Sequence, residues 1–591
     1  MTIRTDLSPH SPSLPRALIL TVSFVQGLLM LALDWARAAG RWPAGDPQAV
    51  YTLVSMLVAI PTFFLLLIDE NNIQRALGAL VMFALVIFGV AAYVGYQTGP
   101  VADINSYDWA PVFVLSIIIF SFKALLYAQQ YSFDNPISYP ALLHYSWRNF
   151  LLMGLALLFT LLFIGILRLW GALFDLIGIS FFSSIFTQAW FLFPAGTTAF
   201  GFAIIIFRSL SSVIDSIARL LLTLFKFLLP VLALIAVLFV VFLPFTGLQS
   251  VWDKDIGSGL FLAIQALLLF GINSVYQSDA KTQPYPLLLH RLVYLSIAVL
   301  PIYSILALQG IFIRIAQYGL TMARCWAVLL ATILLSFALG YLWSIVKKRD
   351  QWLQGLAWVN IRMGLLLMIL LLLVNTPVLN MQALTANSQL NRVTSGGITL
   401  DKLDLNYFRY SLGRQGYQAL QTIKTTYGAS NPTLLTAIDQ LYAVPVQAKK
   451  LTSVNDLRAR IISWPAGRTV PAKILQQIYD GASALPDFIG YYAIFIDMNT
   501  DGQEEIITVF ENPSTYTRGL LWTSVNGEWR QQFYQFENIL VPPALATAID
   551  KNQISVVQPV LNNVRIGAME IYPLPVATEK FLPLSDPAPR P

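Results

Sequence analysis

Runs of some eighteen or more apolar residues recur from Ala17 to Val378 and then stop. Each can carry an α-helix across about 30 Å of hydrocarbon at 1.5 Å per residue. Inside lipid, only a helix or a closed barrel satisfies every backbone donor and acceptor within the spanning structure. Composition points the same way: 56% of the 591 residues are hydrophobic and 12% are charged, about half the charge of an ordinary globular chain. A soluble globular reading is excluded. The fold class expected is a polytopic α-helical membrane protein of about eleven transmembrane helices with a C-terminal soluble α+β domain.

The spans are placed near residues 17–36, 49–68, 76–97, 110–128, 149–171, 188–207, 227–247, 257–276, 291–312, 321–345 and 357–377. Lys123 does not break the fourth. It sits near one end, where its stem can carry the ammonium toward the headgroups. The first span ends in Ala36-Arg37-Ala38, a small-x-small pattern like a signal-peptidase site, but its apolar run is long for a signal peptide. It is read as an uncleaved span.

Orientation follows from the positive charges between spans, because cytoplasmic loops hold the excess of Lys and Arg. On the side shared with the N-terminus lie Arg4, Arg16, Arg75, Arg148, Arg208, Arg219, Lys226, Lys281, Arg291, Lys347, Lys348, Arg349 and Arg362, thirteen in all; Arg37, Arg41, Arg168, Lys254, Arg314 and Arg324 make six on the other. Residues 1–16 are therefore expected in the cytoplasm. An odd number of spans, over residues 17–378, then delivers residues 379–591 to the periplasm. Two cytoplasmic stretches, Arg208 to Lys226 and Lys347-Lys348-Arg349, read as basic segments on the membrane surface. The net charge of +6 is a topology signal, and no basic block with interleaved aromatics suggests nucleic acid as a partner. The lipid bilayer is the partner expected.

Tyr139-Pro140-Ala141-Leu142-Leu143-His144 and Tyr285-Pro286-Leu287-Leu288-Leu289-His290 share five of six residues, each with an Asp upstream, Asp134 or Asp279. They precede the fifth and ninth spans, so a parallel duplication of four spans is read over 110–247 and 257–377. Proline also simply suits the first turn of a helix. His144 and His290 are the best-matched polar pair in the spanning region.

Past Asn380 the sequence turns polar. Residues 400–485 read as helices and residues 490–575 as short strands, among them 491–496, 506–510, 519–523, 528–534, 554–560 and 564–572. Asn526-Gly527 marks a hairpin turn. One loop carries definite chemistry. Asp497, Asn499 and Asp501 stand at the first, third and fifth positions of a calcium-type loop, followed by Gly502, Gln503 and Glu505. Side-chain oxygens at that spacing converge on one point, although Thr508 stands where a helix-loop-helix hand has its bidentate Glu and both flanks read as strands. Calcium is the one cofactor expected. Arg314 and Arg324 flank Tyr318-Gly319-Leu320-Thr321 on the face poor in positive charge; they could meet an anionic group, or the segment is a tight turn bent at Gly319.

Phe193-Pro194-Ala195-Gly196-Thr197-Thr198-Ala199, Leu243-Pro244-Phe245-Thr246-Gly247, Arg314 to Thr321 with Arg324, and Leu403-Asp404-Leu405-Asn406-Tyr407-Phe408-Arg409 read together. Through them the chain resembles, over most of its length, a bacterial inner-membrane family of unknown function, the domain-of-unknown-function family four-one-five-three. The resemblance implies the inner membrane of a bacterium and no reaction. No Gly-x-Ser-x-Gly elbow, His-Glu-x-x-His or phosphate loop is present, and three histidines, His10 included, are too scattered for a zinc site. The expectation is a noncatalytic or transport-related envelope protein with a sensing or binding domain outside, partnered by other envelope proteins or a lipid-linked substrate. An alternative is a membrane glycosyltransferase using Asp34 and Asp46.

Overall fold

The structure is a computed structural model and describes residues 14–70, 72–99, 110–132, 137–246, 257–276, 284–348, 352–442, 453–482, 490–498, 501–511, 517–525, 528–534, 564–566 and 569–571. The chain divides into two compact units, Met1–Tyr442 and Ala443–Pro591. Among the described residues, eleven helices are long and apolar enough to cross a membrane, one for each expected span.

Six of these helices build a first core: α1 (Arg16–Ala38), α2 (Pro47–Leu67), α3 (Ile73–Gln97), α4 (Ala110–Ser132), α5 (Tyr139–Asp175) and, after the short aromatic α6 (Phe181–Thr187), α7 (Ala189–Ser209). Phe63, Ile87, Phe120, Leu152 and Ile204 are buried at its centre, with the Phe63 and Phe83 rings stacked 4.0 Å apart. Lipid tails are as apolar as leucine, so burial of apolar surface does not drive helices together here; close backbone approach at small residues does. Helices α1 and α7 use that device. A side chain added at Gly27 would meet Pro194 Cα at 2.6 Å and the Phe193 carbonyl at 2.8 Å, and one at Gly201 would strike the Ser23 side chain.

A second core is formed by α8 (Ser211–Thr246), α9 (Gly257–Val275), α10 (Leu287–Tyr318), α11 (Met322–Lys348) and α12 (Leu353–Leu373), around Phe261, Ile297, Tyr303, Tyr341 and Trp352. Buried polar groups tie it across helices. Gln265, fully buried on α9, donates to the Leu334 carbonyl at 3.1 Å and accepts from the Ser304 hydroxyl at 2.8 Å, and the Tyr303 hydroxyl donates to the Ala236 carbonyl at 2.8 Å. Such bonds contribute about 0.6 kcal/mol each within membranes.

The stretch expected on the membrane surface, Arg208 to Lys226, takes in the end of α7 and the first part of α8, a helix of 36 residues that continues into the span. Nothing between Lys226 and Phe227 breaks a helix, and α7 stops only at Leu210. Lys347 and Lys348 form the last turn of α11, where cations suit the negative end of the helix dipole; Arg349 lies outside the described residues. The two cores divide within α8, between Ile214 of the first and Leu229 of the second, so the four-span segment 110–247 contributes to both.

Beyond the last span the same compact unit continues into α13 (Met381–Thr394), a π-turn at Tyr407–Ser411, α14 (Gly413–Tyr427) and α15 (Pro432–Leu441). Asn380 caps α13 by accepting from the Ala383 amide at 2.9 Å, and Ala386, Phe408, Leu412, Leu420, Ile423 and Ile438 form a small core of their own.

The second unit holds α16 (Val454–Arg460), β1 (Ile461–Trp464), α17 (Ala472–Ala482), β2 (Gly490–Ile496), β3 (Glu505–Glu511), β4 (Thr517–Val525) and β5 (Glu528–Tyr534). The strands form one sheet in chain order, β1 parallel to β2 and the rest antiparallel. Ile461 to Trp464 stands inside the stretch read as helical and is a strand because this β-prone run pairs with Tyr491 to Ile494. Pairing of Val525 with Glu528 leaves two residues for the hairpin loop; Asn526-Gly527 itself lies outside the described residues, as does the strand read at 554–560. A short hairpin, β6 (Val564–Ile566) with β7 (Met569–Ile571), follows. Leu457, Ile474, Leu475, Ile478, Phe495, Ile506 and Trp522 fill the space between the helices and one sheet face.

Candidate functional site

The loop at Asp497 joins β2 to β3, with Ile496 paired to Glu505 across its mouth. Its carboxylates first serve the loop itself. Asp497 Oδ2 accepts from the Gly502 amide at 2.9 Å, Asp501 Oδ1 from the Gln503 amide at 2.7 Å, and Glu505 Oε2 from the Met498 amide at 2.8 Å. Gly502 has φ +83°, which suits glycine. Asp501 and Gln503 are exposed, Glu505 is buried, and Asn499 lies outside the described residues. Thr508 is no ligand: it is fully buried on β3 and accepts from the Trp522 indole at 2.9 Å. One oxygen, Asp497 Oδ1, is buried and accepts no hydrogen bond from a described residue. Among the described residues no three His, Cys, Asp or Glu side chains converge as a metal-binding group.

The two histidines occupy unlike surroundings. His144 is exposed on α5 beside Tyr145. His290 is fully buried in the second core, its Nδ1 3.3 Å from the Tyr276 hydroxyl and its ring stacked on Trp352. Nearby, Tyr285 donates to the Lys226 carbonyl at 2.5 Å, and burial pushes its pKa up to about 12, so it is a permanent donor at neutral pH. Sequence reasoning missed a polar network in this region. Asn273 Oδ1 accepts from Tyr139 at 2.5 Å and from Asn360 at 2.6 Å, and Tyr341 donates to Asn360 at 2.5 Å. Single Asn and Tyr residues on apolar helices leave no periodic signal.

Arg314 and Arg324 are close enough to repel electrostatically, at the turn between α10 and α11. There the structure assembles its most elaborate polar arrangement. Gly319 has φ +75° and ends α10, leaving that helix's last carbonyls to find donors elsewhere. Arg324 donates to the Gly319 carbonyl at 2.7 Å; Arg392 of α13 donates to Tyr318 at 2.5 Å and to Gln317 at 3.1 Å; Gln389 donates to the Leu320 carbonyl at 2.7 Å. Ser388 accepts from the Leu320 amide at 3.1 Å, and the Tyr407 hydroxyl accepts from the Met322 amide at 2.8 Å. Tyr407 is itself held by its amide donating to Asp404 Oδ1 at 2.9 Å. Arg414 of α14 reaches α3, donating to the Tyr96 carbonyl at 2.9 Å over the Tyr96 ring. The arginines thus cap helix ends, as the turn reading has it, and join the outer helices to the membrane bundle.

Two sequence segments singled out independently therefore touch: Tyr318 to Arg324, and Asp404 to Arg409 through Tyr407. A third, Phe193 to Ala199, forms the socket for Gly27. The family described as Domain of unknown function (DUF4153) matches residues 52–423, a stretch that contains all of these segments except Gly27 itself. The chain belongs to the DUF4153 family. The DUF4153 match begins in α2 and ends at buried Ile423 in α14, so it takes in α13 and the π-turn together with the spans after α1 and leaves the sheet outside. Comparison with curated proteins and with solved structures returned no match.

Proposed function

We propose that this DUF4153 protein is a noncatalytic receptor of the bacterial inner membrane, with its N-terminus in the cytoplasm and its sheet unit in the periplasm. It binds a solute or another envelope protein outside and passes the bound state to the membrane helices. The observation that carries this reading is the clamp on the Tyr318 to Met322 turn. Polar side chains of α13 and Tyr407 hold a turn whose two arms, α10 and α11, run through the second core, and α15 leads in sequence to the sheet unit. A displacement of the outer helices then reaches the membrane helices without a flexible joint. The enzymatic alternative, transfer from a lipid-linked sugar, draws on Asp34 and Asp46, but Asp46 is occupied in capping α2 at Ala49.

The test has two arms. Alkaline phosphatase fused after Tyr442 is expected to be active and green fluorescent protein at the same place dark; the reverse overturns the orientation. With Cys325 replaced by Ser, cysteines at 320 and 388 are expected to lock the clamp on oxidation. Complementation of the deletion phenotype should then disappear and return with reductant. Complementation that survives the lock excludes signalling through this turn.

We also propose that the Asp497 loop takes calcium weakly, with a Kd on the order of 10⁻⁴ to 10⁻³ M. What supports this is Asp497 Oδ1, a buried carboxylate oxygen that accepts no hydrogen bond from a described residue, a costly arrangement unless a donor or cation fills it. Millimolar calcium, added to the full-length protein in detergent, is expected to raise its melting temperature, and Asp497→Asn to weaken the effect about tenfold. Equal melting with calcium and with magnesium chloride of the same ionic strength would remove the claim.

A further inference from the structure

The last turn of α2 ends inside the first core, and its free carbonyls are met from three directions. Leu65 accepts from Arg208 of α7 at 2.8 Å, Leu66 from Gln129 of α4 at 3.2 Å, and Leu67 from Asn72 at 3.2 Å. Asn149 of α5 donates to Gln129 Oε1 at 2.8 Å. Beside this junction lies a cavity of about 50 Å³, lined by Asp69, Gln129, Tyr145, Arg148, Asn149 and Arg208 among others. That is room for three or four waters, roughly one phosphoryl group.

The balance of donors and acceptors around this space is uneven. Arg208 is 7% exposed, and Arg148 acts on it electrostatically. A guanidinium carries five N–H donors. Among the described residues, Arg208 donates one hydrogen bond, to the Leu65 carbonyl, and Arg148, half-buried, donates none. Against two guanidiniums and the Tyr145 hydroxyl stands one carboxylate, Asp69, which attracts Arg208. One carboxylate does not neutralise two guanidiniums, and the positive charge left over beside buried Arg208 is costly without a further acceptor. A planar fork of donors matches the oxygens of a phosphoryl group better than it matches a halide.

We infer that this cavity is an anion site that binds one phosphoryl group between Arg148 and Arg208. The ends of α2, α4 and α7 and the starts of α3 and α5 all lie on one side of the membrane, the side with the surplus of Lys and Arg. The same chemistry is offered there by the headgroup of an anionic lipid and by a free phosphate. The site lies apart from the clamp and does not depend on the receptor reading.

The experiment uses full-length protein in neutral detergent and in nanodiscs, with melting temperature as readout. Inorganic phosphate is compared with chloride at equal ionic strength, and phosphatidylglycerol nanodiscs with phosphatidylcholine ones. Arg148→Gln removes no hydrogen bond to a described residue, so it is expected to fold, as size-exclusion elution reports. It should require about tenfold more ligand for the same protection, the loss expected for a bond to a charged group, and Arg148→Lys should retain most of the effect. Protection by phosphate identifies a free phosphate as sufficient. Protection by phosphatidylglycerol alone identifies a headgroup. Absence of protection in the wild type by either, or equal protection of wild type and Arg148→Gln, overturns the site.

Discussion

Gly27→Leu is expected to separate α1 from α7 and to destabilise the first core by about 3 kcal/mol, the upper end for overpacking. The Thr197 hydroxyl stands nearest, and behind it the neighbours to be displaced are backbone. Pro194 Cα and the Phe193 carbonyl stand 2.6 and 2.8 Å from where a Cβ would be, and neither can swing aside as a side-chain tip does. Gly201→Leu should destabilise the same seam, because rotating the Ser23 hydroxyl away leaves the Ser23 Cβ 2.7 Å from the new Cβ. Thermal unfolding in detergent is the measurement, and a Gly27→Leu melting temperature within about 2 °C of wild type would refute the close-packing account.

Gly319→Val is the second large effect. Its φ of +75° and ψ of −179° fall in a region nearly closed to other residues, at a cost on the order of 1–3 kcal/mol. The new Cβ would also stand 2.6 Å from Arg392 Cδ and 2.9 Å from Gln389 Nε2, the two side chains that hold the turn. Strain and lost hydrogen bonds act together, so the clamp should open. Trypsin cleavage after Arg392 is expected to accelerate severalfold, with Gly319→Ala intermediate. An unchanged cleavage rate would show that the clamp does not depend on this backbone conformation.

The spans were legible because hydropathy over twenty residues is a direct statement about solvent, and each of the eleven expected runs became a helix. Their ends were less so. The length of α5, 37 residues or about 56 Å, shows why: helix continues wherever no breaker stops it, whether or not lipid surrounds it. The turn at Gly319 was readable, and the roles of Arg324 and Tyr407 were not, since a capping bond between residues 85 positions apart, Met322 to Tyr407, has no local pattern. The cavity at Arg208 escaped for a related reason. Its positive charges were counted toward orientation one by one, and only folding shows that Arg148 and Arg208 face the same space.

The parting of the two cores within α8 has a consequence for how the chain is made. A ribosome releases α1 to α7 before α8 begins, so nearly every contact of the first core is available while the second is still unsynthesised. Nearly, because Ile214 of α8 belongs to the first core and Met368 and Leu372 of α12 pack against it, although Trp352, Leu356 and Val359 near the start of α12 belong to the second. The last span to enter the membrane is thus the one that stitches both halves together, and a chain that stalls before it would leave the insertion machinery holding an open seam.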